Sequence, residues 1–102
     1  MTPESKVKMA VKRLLEMHKV WYFLPVSNGM GRHGIPDVLC CVNSFFLAIE
    51  CKAGKGKTTA LQDREIEAIK SAGGSALVIR DNEEDFRTLD AVLTTLKNQN
   101  VT

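Results

Sequence analysis

The chain has 102 residues, of which 44% are hydrophobic and 25% charged, and its formal net charge is +2. This length allows one domain with one modest core, and the composition argues against intrinsic disorder. Because no apolar run approaches the roughly 20 residues that span a bilayer, and charges interrupt any signal-peptide core, we expect a cytoplasmic protein without membrane contact.

The first predicted element is a helix that begins at Thr2. Thr2 suits the N-cap, Pro3 suits the first helical position, and Glu4 can complement the helix dipole. Glu4 also precedes Val7 and Val11 by three and seven residues, which predicts that it lies on the inward stripe. Both interpretations of Glu4, dipole complement or functional carboxylate, stay open.

The middle of the chain predicts three strands and two glycine-containing loops. The strands are Trp21–Val26, Asp37–Val42 and Phe45–Cys51, the last two joined at Asn43-Ser44. The loops cover residues 27–34 and 53–58, and four of their side chains could carry positive charge: Arg32, His33, Lys55 and Lys57. Such a group is either a solvated surface or a site for anionic ligands.

The remaining residues predict a helix, a strand and a helix. The first helix runs from Thr59 to about Ala72, where two glycines end it, and Ser75–Arg80 forms a strand. Asp81 or Asn82 caps the last helix. The whole order is αβββαβ(α), which predicts an α/β fold with a small mixed sheet flanked by helices. We expect one domain over residues 1–97 and a flexible tail over 98–102.

The three cysteines argue against two kinds of stabilising cross-link. Cys40, Cys41 and Cys51 form an odd set with no C-x-x-C spacing. Neither a disulfide framework nor a structural zinc site is therefore expected.

The predicted hairpin brings two carboxylates together. If the Asn43-Ser44 turn is symmetric, Asp37 lies directly across from Glu50, with their Cβ atoms about 4.5–5.5 Å apart. Like charges in this arrangement are destabilising, and a divalent cation such as Mg²⁺ would resolve the conflict. Lys52 points to the same face two residues later, where it could orient a water. The alternative is a hairpin that merely has polar ends at the sheet margin.

Gln62 has two interpretations that the residues alone leave open. It lies four and seven residues before Ile66 and Ile69, so it shares their inward helix stripe. It also completes a capping box, Thr59-x-x-Gln62, which needs no functional role.

The ordered set of Glu4, Pro36-Asp37, Glu50-x-Lys52 and Gln62 resembles the PD-(D/E)XK nuclease signature. Residues 34–37 and the Gly/Lys-rich segment before Gln62 look like the VRR-NUC branch, and the resemblance covers residues 3–90. It implies a restriction-endonuclease-like core. The late strand departs from the branch pattern, so the resemblance assigns no role to Arg80.

The resemblance also implies a role for each matched position. Asp37 and Glu50 would bind Mg²⁺ or Mn²⁺ with the backbone carbonyl of Cys51, and Glu4 would join them directly or through water. Lys52 would be the catalytic lysine, and Gln62 would match the family's glutamine. The protein would then cut DNA, with Arg32, His33, Lys55 and Lys57 as DNA contacts.

Stand-alone VRR-NUC proteins of bacteria and phages are similar to Holliday junction resolvases, so the resemblance further implies a homodimer that cuts branched DNA. Two symmetric cuts need two identical sites, which a twofold dimer supplies. The interface could involve Trp21, Tyr22 and Phe23 or the last helix, although core packing also explains these apolar side chains.

Two alternatives belong to other functional classes. A non-catalytic nucleic-acid-binding module would use the basic loops alone. Gly54–Thr58 also ends as a P-loop does, but the pattern requires glycine where Cys51 stands, so we expect no nucleotide cofactor.

Overall fold

The computed structural model describes residues 2–26 and 31–99. The element order is that predicted: α1 (Pro3–Met17), β1 (Trp21–Phe23), β2 (Val38–Val42), β3 (Phe45–Lys52), α2 (Ala60–Ser71), β4 (Ser75–Arg80) and α3 (Glu83–Lys97). The strands form one mixed sheet in the order β1-β2-β3-β4. The predicted α/β fold, a small mixed sheet flanked by helices, is confirmed.

The helices begin where the sequence predicts, because each has a side chain that caps its free N–H groups. Thr2 accepts a hydrogen bond from the N–H of Ser5, and Asn82, rather than Asp81, accepts one from the N–H of Asp85.

Across the described residues, no helix has both the length and the apolar character needed to cross a membrane.

The sheet carries the core on one face. Alternate residues of β2 and β3 are buried against the apolar stripes of α1 and α3, and the largest of these buried side chains include Leu15, Leu47, Ile49, Leu89 and Leu93. Because side chains alternate along a strand, the intervening residues of β3 face away from this core. Glu50 and Lys52 are therefore on the face that α2 approaches.

The first strand is shorter than the predicted Trp21–Val26. Its last paired residue is Phe23, which lies opposite Leu39 near the start of β2. Val38 of β2 lies one step further on, opposite Leu24, but Pro25 has no N–H to donate to a ladder. Leu24, Pro25 and Val26 lie outside the sheet. Residues 27–30 of the predicted loop and residues 100–102 of the predicted tail lie outside the described residues.

A glycine fits the chain closely against α2 just before the second strand. Gly34 has a φ of +85°, and a Cβ there would lie 2.5 Å from the backbone oxygen of Leu61. Any side chain would therefore meet both backbone strain and backbone atoms that cannot move aside. This contact fixes the approach of the residues that lead to Asp37.

Candidate active site

The predicted register of the hairpin is confirmed. Asn43 and Ser44 both have positive φ, 50° and 77°, as expected of a two-residue hairpin turn. The last paired residues of β2 and β3 are Val38 and Ile49, so Asp37 follows one step beyond them, opposite Glu50. Asp37 itself precedes β2 rather than belonging to it.

Asp37 is held by the backbone of the neighbouring strand. Its Oδ2 accepts a hydrogen bond of 2.9 Å from the backbone N–H of Cys51. This hydrogen bond ties the side chain of Asp37 to β3. Its other oxygen, Oδ1, lies 3.7 Å from the Nζ of Lys8.

Glu4 completes a group of three carboxylates. One oxygen each from Glu4, Asp37 and Glu50 lie within 4.8 Å of one another. The prediction that Glu4 lies on the inward stripe is wrong in one respect, because the residue is exposed. It belongs to the first turn of α1, before the buried stripe starts at Val7, and so reaches the carboxylates rather than the core.

Glu50 is a buried carboxyl whose surroundings shift its pKa. The residue is only 2% exposed, and burial, followed by the negative charge of Asp37, raises the pKa of Glu50 to about 7. Lys52 opposes this shift, since its Nζ lies 3.5 Å from Glu50 Oε2. A buried carboxyl of this kind gains from any cation that can share its charge.

Gln62 satisfies both interpretations that the sequence left open. Its Oε1 accepts from the backbone N–H of Thr59, and its own N–H donates to the hydroxyl of Thr59, which completes the capping box. Its Nε2 meanwhile donates to Glu50 Oε2 at 2.9 Å. One side chain therefore begins α2 and orients a carboxylate of the site.

The side chain of Cys51 is not suited to bind a metal. The residue is fully buried, and burial, with the charges of Asp37 and Glu50, raises the pKa of its thiol to about 12. The thiol therefore stays protonated at neutral pH, whereas metals bind the thiolate. This agrees with a role for the backbone of Cys51 rather than for its sulfur.

The four basic residues predicted to contact DNA lie in exposed segments, with two different anchors. Arg32 and His33 line a cleft of about 290 Å³ together with Asp37. The Nε of Arg32 pairs with the buried Glu65 of α2, but the arginine side chain remains 68% exposed.

The loop that carries Lys55 and Lys57 is fixed from the last strand. An Nη2 of Arg80 donates to the carbonyl of Gly56 at 3.0 Å, and Gly56 N donates to the carbonyl of Ala53. The sequence assigned no role to Arg80. In the structure, Arg80 holds the second basic loop in place, and Arg80 itself lies beside Lys52 in the β3–β4 register.

Lys8 was missed by the sequence-based prediction. It lies one helical turn after Glu4, and this i,i+4 spacing was the available signal. The same spacing usually marks a simple surface ion pair, so it does not point to Asp37. Only the packing of α1 across the sheet brings Lys8 to that carboxylate.

The donor set fits a hard divalent cation. Three carboxylates converge, and oxygen ligands of this type are those that Mg²⁺ and Mn²⁺ prefer. The buried position of Glu50 and the proximity of Asp37 leave negative charge that Lys8 and Lys52 offset only in part. Glu4, Asp37 and Glu50 would hold the ion.

Comparison with known proteins agrees with this geometry. Residues 13–101 match Hjc, described as archaeal Holliday junction resolvase, and this range includes Asp37, Glu50, Lys52 and Gln62 but begins after Glu4 and Lys8. A search of curated proteins found no match. Because the family match covers most of the chain, the protein belongs to the archaeal Holliday junction resolvase (Hjc) family of the PD-(D/E)XK nuclease superfamily.

Proposed function

We propose that the protein is a divalent-metal-dependent endonuclease that resolves four-way or related branched DNA as a homodimer. The observation that carries the proposal is the convergence of Glu4, Asp37 and Glu50 within 4.8 Å, with Lys52 beside them. Family membership implies a nuclease acting on Holliday junctions. The metal, the dimer and the preference for branched DNA are the parts that we propose.

Each residue would make a distinct contribution to hydrolysis. A bound Mg²⁺ or Mn²⁺ would lower the pKa of a coordinated water and polarise a phosphoryl oxygen. Asp37 is oriented for this by the N–H of Cys51, and Glu50 by the amide of Gln62. Lys52, only 14% exposed at the side chain, would orient the attacking water or offset charge on the phosphate.

The surroundings of the site favour recognition of DNA shape over sequence. The exposed basic side chains lie in loops, and phosphate contacts from such loops carry no sequence information. The segments that hold them, anchored by Glu65 and by Arg80, are separate, so a branched substrate could contact both.

Assignment to the VRR-NUC branch, and a cytoplasmic location in a bacterial cell or phage-infected host, remain predictions.

We place the dimer interface on the aromatic surface, which comprises Trp21, Phe23 and Phe46. Trp21 is 65%, Phe23 51% and Phe46 43% exposed. The strand register puts Trp21 and Phe46 on the same face, since both lie opposite Cys41. Exposed aromatic side chains that lie together are typical of interfaces. On α3, by contrast, Leu89 and Leu93 are buried in the core, so that helix is the less suitable candidate.

The decisive experiment compares cleavage of a labelled four-way junction and a matched linear duplex with Mg²⁺, Mn²⁺ or EDTA. We expect paired cuts near the branch point that require a metal and disappear in Asp37→Asn, Glu50→Gln and Lys52→Ala. DNA binding should largely survive, because the phosphate contacts come from the loops. Cleavage that persists in these variants would show that the site is elsewhere.

The same experiment separates the alternatives. Tight, salt-sensitive DNA binding without cleavage under either metal would favour the non-catalytic binding module. A P-loop function is disfavoured by local contacts, since the hydroxyl of Thr58, which would face Mg²⁺ in a P-loop, donates to Asp63 Oδ1. Metal-dependent cutting without a preference for the junction would retain the nuclease and remove the resolvase.

A further inference from the structure

Lys8 occupies a position beside the carboxylates that the nuclease signature does not explain. Its Nζ faces Asp37 Oδ1 at 3.7 Å, whereas Asp37 Oδ2 is held by the N–H of Cys51. The positive charge of Lys8 therefore lies at the open oxygen of a carboxylate that would bind a cation.

The two lysines of the site differ in how firmly they are held. Lys52 is 14% exposed and lies against the buried Glu50. Lys8 is 38% exposed and its partner Asp37 is 24% exposed at the side chain. Because Lys8 extends from a helix surface on a long, flexible stem, it can leave Asp37 for solvent or for another anion without any change of the backbone.

We propose that Lys8 is a displaceable counter-ion of the carboxylates: it neutralises Asp37 in the free protein and moves to a DNA phosphate when a divalent cation takes its place. The inference rests on the proposed function, because it requires both metal and DNA at this site. An ammonium group and a divalent cation that share one carboxylate repel each other. A phosphate that attracts Lys8 removes this repulsion, so metal and DNA should each strengthen the binding of the other.

The first test is calorimetric titration of the DNA-free protein with Mn²⁺. Lys8→Gln should bind Mn²⁺ at least about fivefold more tightly than wild type, the lower end of a typical coupling effect. Lys6→Gln is the matched control, since it removes the same charge from an exposed position of α1 and should leave the affinity unchanged. Lys8→Arg keeps the charge and should behave as wild type. Circular dichroism establishes that each variant is folded.

The second test measures the coupling directly in a Lys52→Ala background, which is expected not to cut. An unlabelled four-way junction should tighten Mn²⁺ binding in this background. This gain in Mn²⁺ affinity should become smaller when Lys8→Gln is added to the background, and it should persist when Lys6→Gln is added instead.

The outcomes separate this inference from the proposed function. If wild type binds Mn²⁺ but Lys8→Gln binds it no more tightly than Lys6→Gln does, the role of Lys8 is wrong and the nuclease site stands. An undiminished gain in the double variant would equally overturn the role of Lys8. If wild type binds no Mn²⁺ with or without the junction, both proposals fail.

Discussion

Glu50 combines deep burial with close contacts to groups of both signs. Asp37 lies opposite it, Lys52 lies 3.5 Å away, and Gln62 donates to the same oxygen that Lys52 faces. The carboxyl is therefore neutralised in part by protonation in the metal-free protein, since its pKa is about 7 rather than the usual 4.5. A cation would replace that proton, so metal binding should release protons near neutral pH.

The pKa of Glu50 predicts a specific dependence of stability on pH. Because the folded-state pKa is raised, the folded protein binds more protons than the unfolded chain between about pH 4.5 and pH 7. The contribution of Glu50 to stability is therefore complete below this window, falls as pH rises through it, and is lost above it. In EDTA, the free energy of unfolding of Glu50→Gln should rise relative to that of wild type by on the order of 1–3 kcal/mol as the pH increases from about 5 to about 8.

Thermal unfolding of both proteins across that range measures the effect. Mg²⁺ should raise the melting temperature of wild type at the upper end of the range and have little effect on Glu50→Gln. A difference in melting temperature between the two proteins that does not change with pH would contradict the raised pKa of Glu50.

The two roles of Gln62 can be separated by substitution. Gln62→Glu retains an oxygen for the capping box but replaces the amide donor to Glu50 by a carboxylate. Cleavage should fall about 10- to 100-fold, as for other groups that orient metal ligands. Thr59→Ala should instead cost about 1 kcal/mol of stability through loss of the cap and leave most of the cleavage rate. Rate measurements with circular dichroism distinguish the two, and an unimpaired Gln62→Glu would remove the functional role.

At the level of secondary structure, β4 contributes more than core packing, because Arg80 at its end holds the second basic loop. Arg80→Ala should weaken junction binding about fivefold, the equivalent of one hydrogen bond of about 1 kcal/mol. KM should rise while kcat changes little, because the proposed role of the loop's lysines is to contact DNA rather than the reacting atoms.

The control for this prediction is Arg87→Ala on α3. Arg87 pairs with Glu83 on an exposed helix surface, and its loss changes the net charge by the same amount. Equal weakening in both variants would show that only the total charge matters and that Arg80 does not position the loop.

The sequence predicted the elements and most of the candidate site, because both depend on local patterns. The two-residue turn at Asn43-Ser44 determines the hairpin register, and the register places Asp37 opposite Glu50. The early end of β1 was not predicted, although Pro25, just beyond it, has no N–H to donate to a ladder. The position of Lys8 depends on how α1 crosses the sheet, which no local period encodes. The ambiguity of Gln62 had no single answer, because its side chain makes both the capping contact and the contact to Glu50.

At the scale of the whole molecule, the proposed dimer interface on the aromatic surface can be tested by substitution. Trp21→Ser combined with Phe23→Ser should shift the protein from dimer to monomer in sedimentation experiments. Paired junction cuts should become single nicks, since each protomer keeps its own carboxylates. Met17→Ser is the control, because Met17 is 74% exposed but lies at the end of α1. A double variant that remains dimeric would move the interface to another surface.

The hydrogen bond between Gln62 and Glu50 also couples local unfolding at the start of α2 to the exposure of Glu50. The first turn of a helix is where fraying begins, but here fraying would break the capping box and release the buried carboxylate together. The backbone amide of Gln62 donates to Thr59, so its hydrogen exchange with solvent should report the same opening event that exposes Glu50. Any ligand that holds Glu50 in place should slow that exchange, so a single amide proton can follow occupancy of the site.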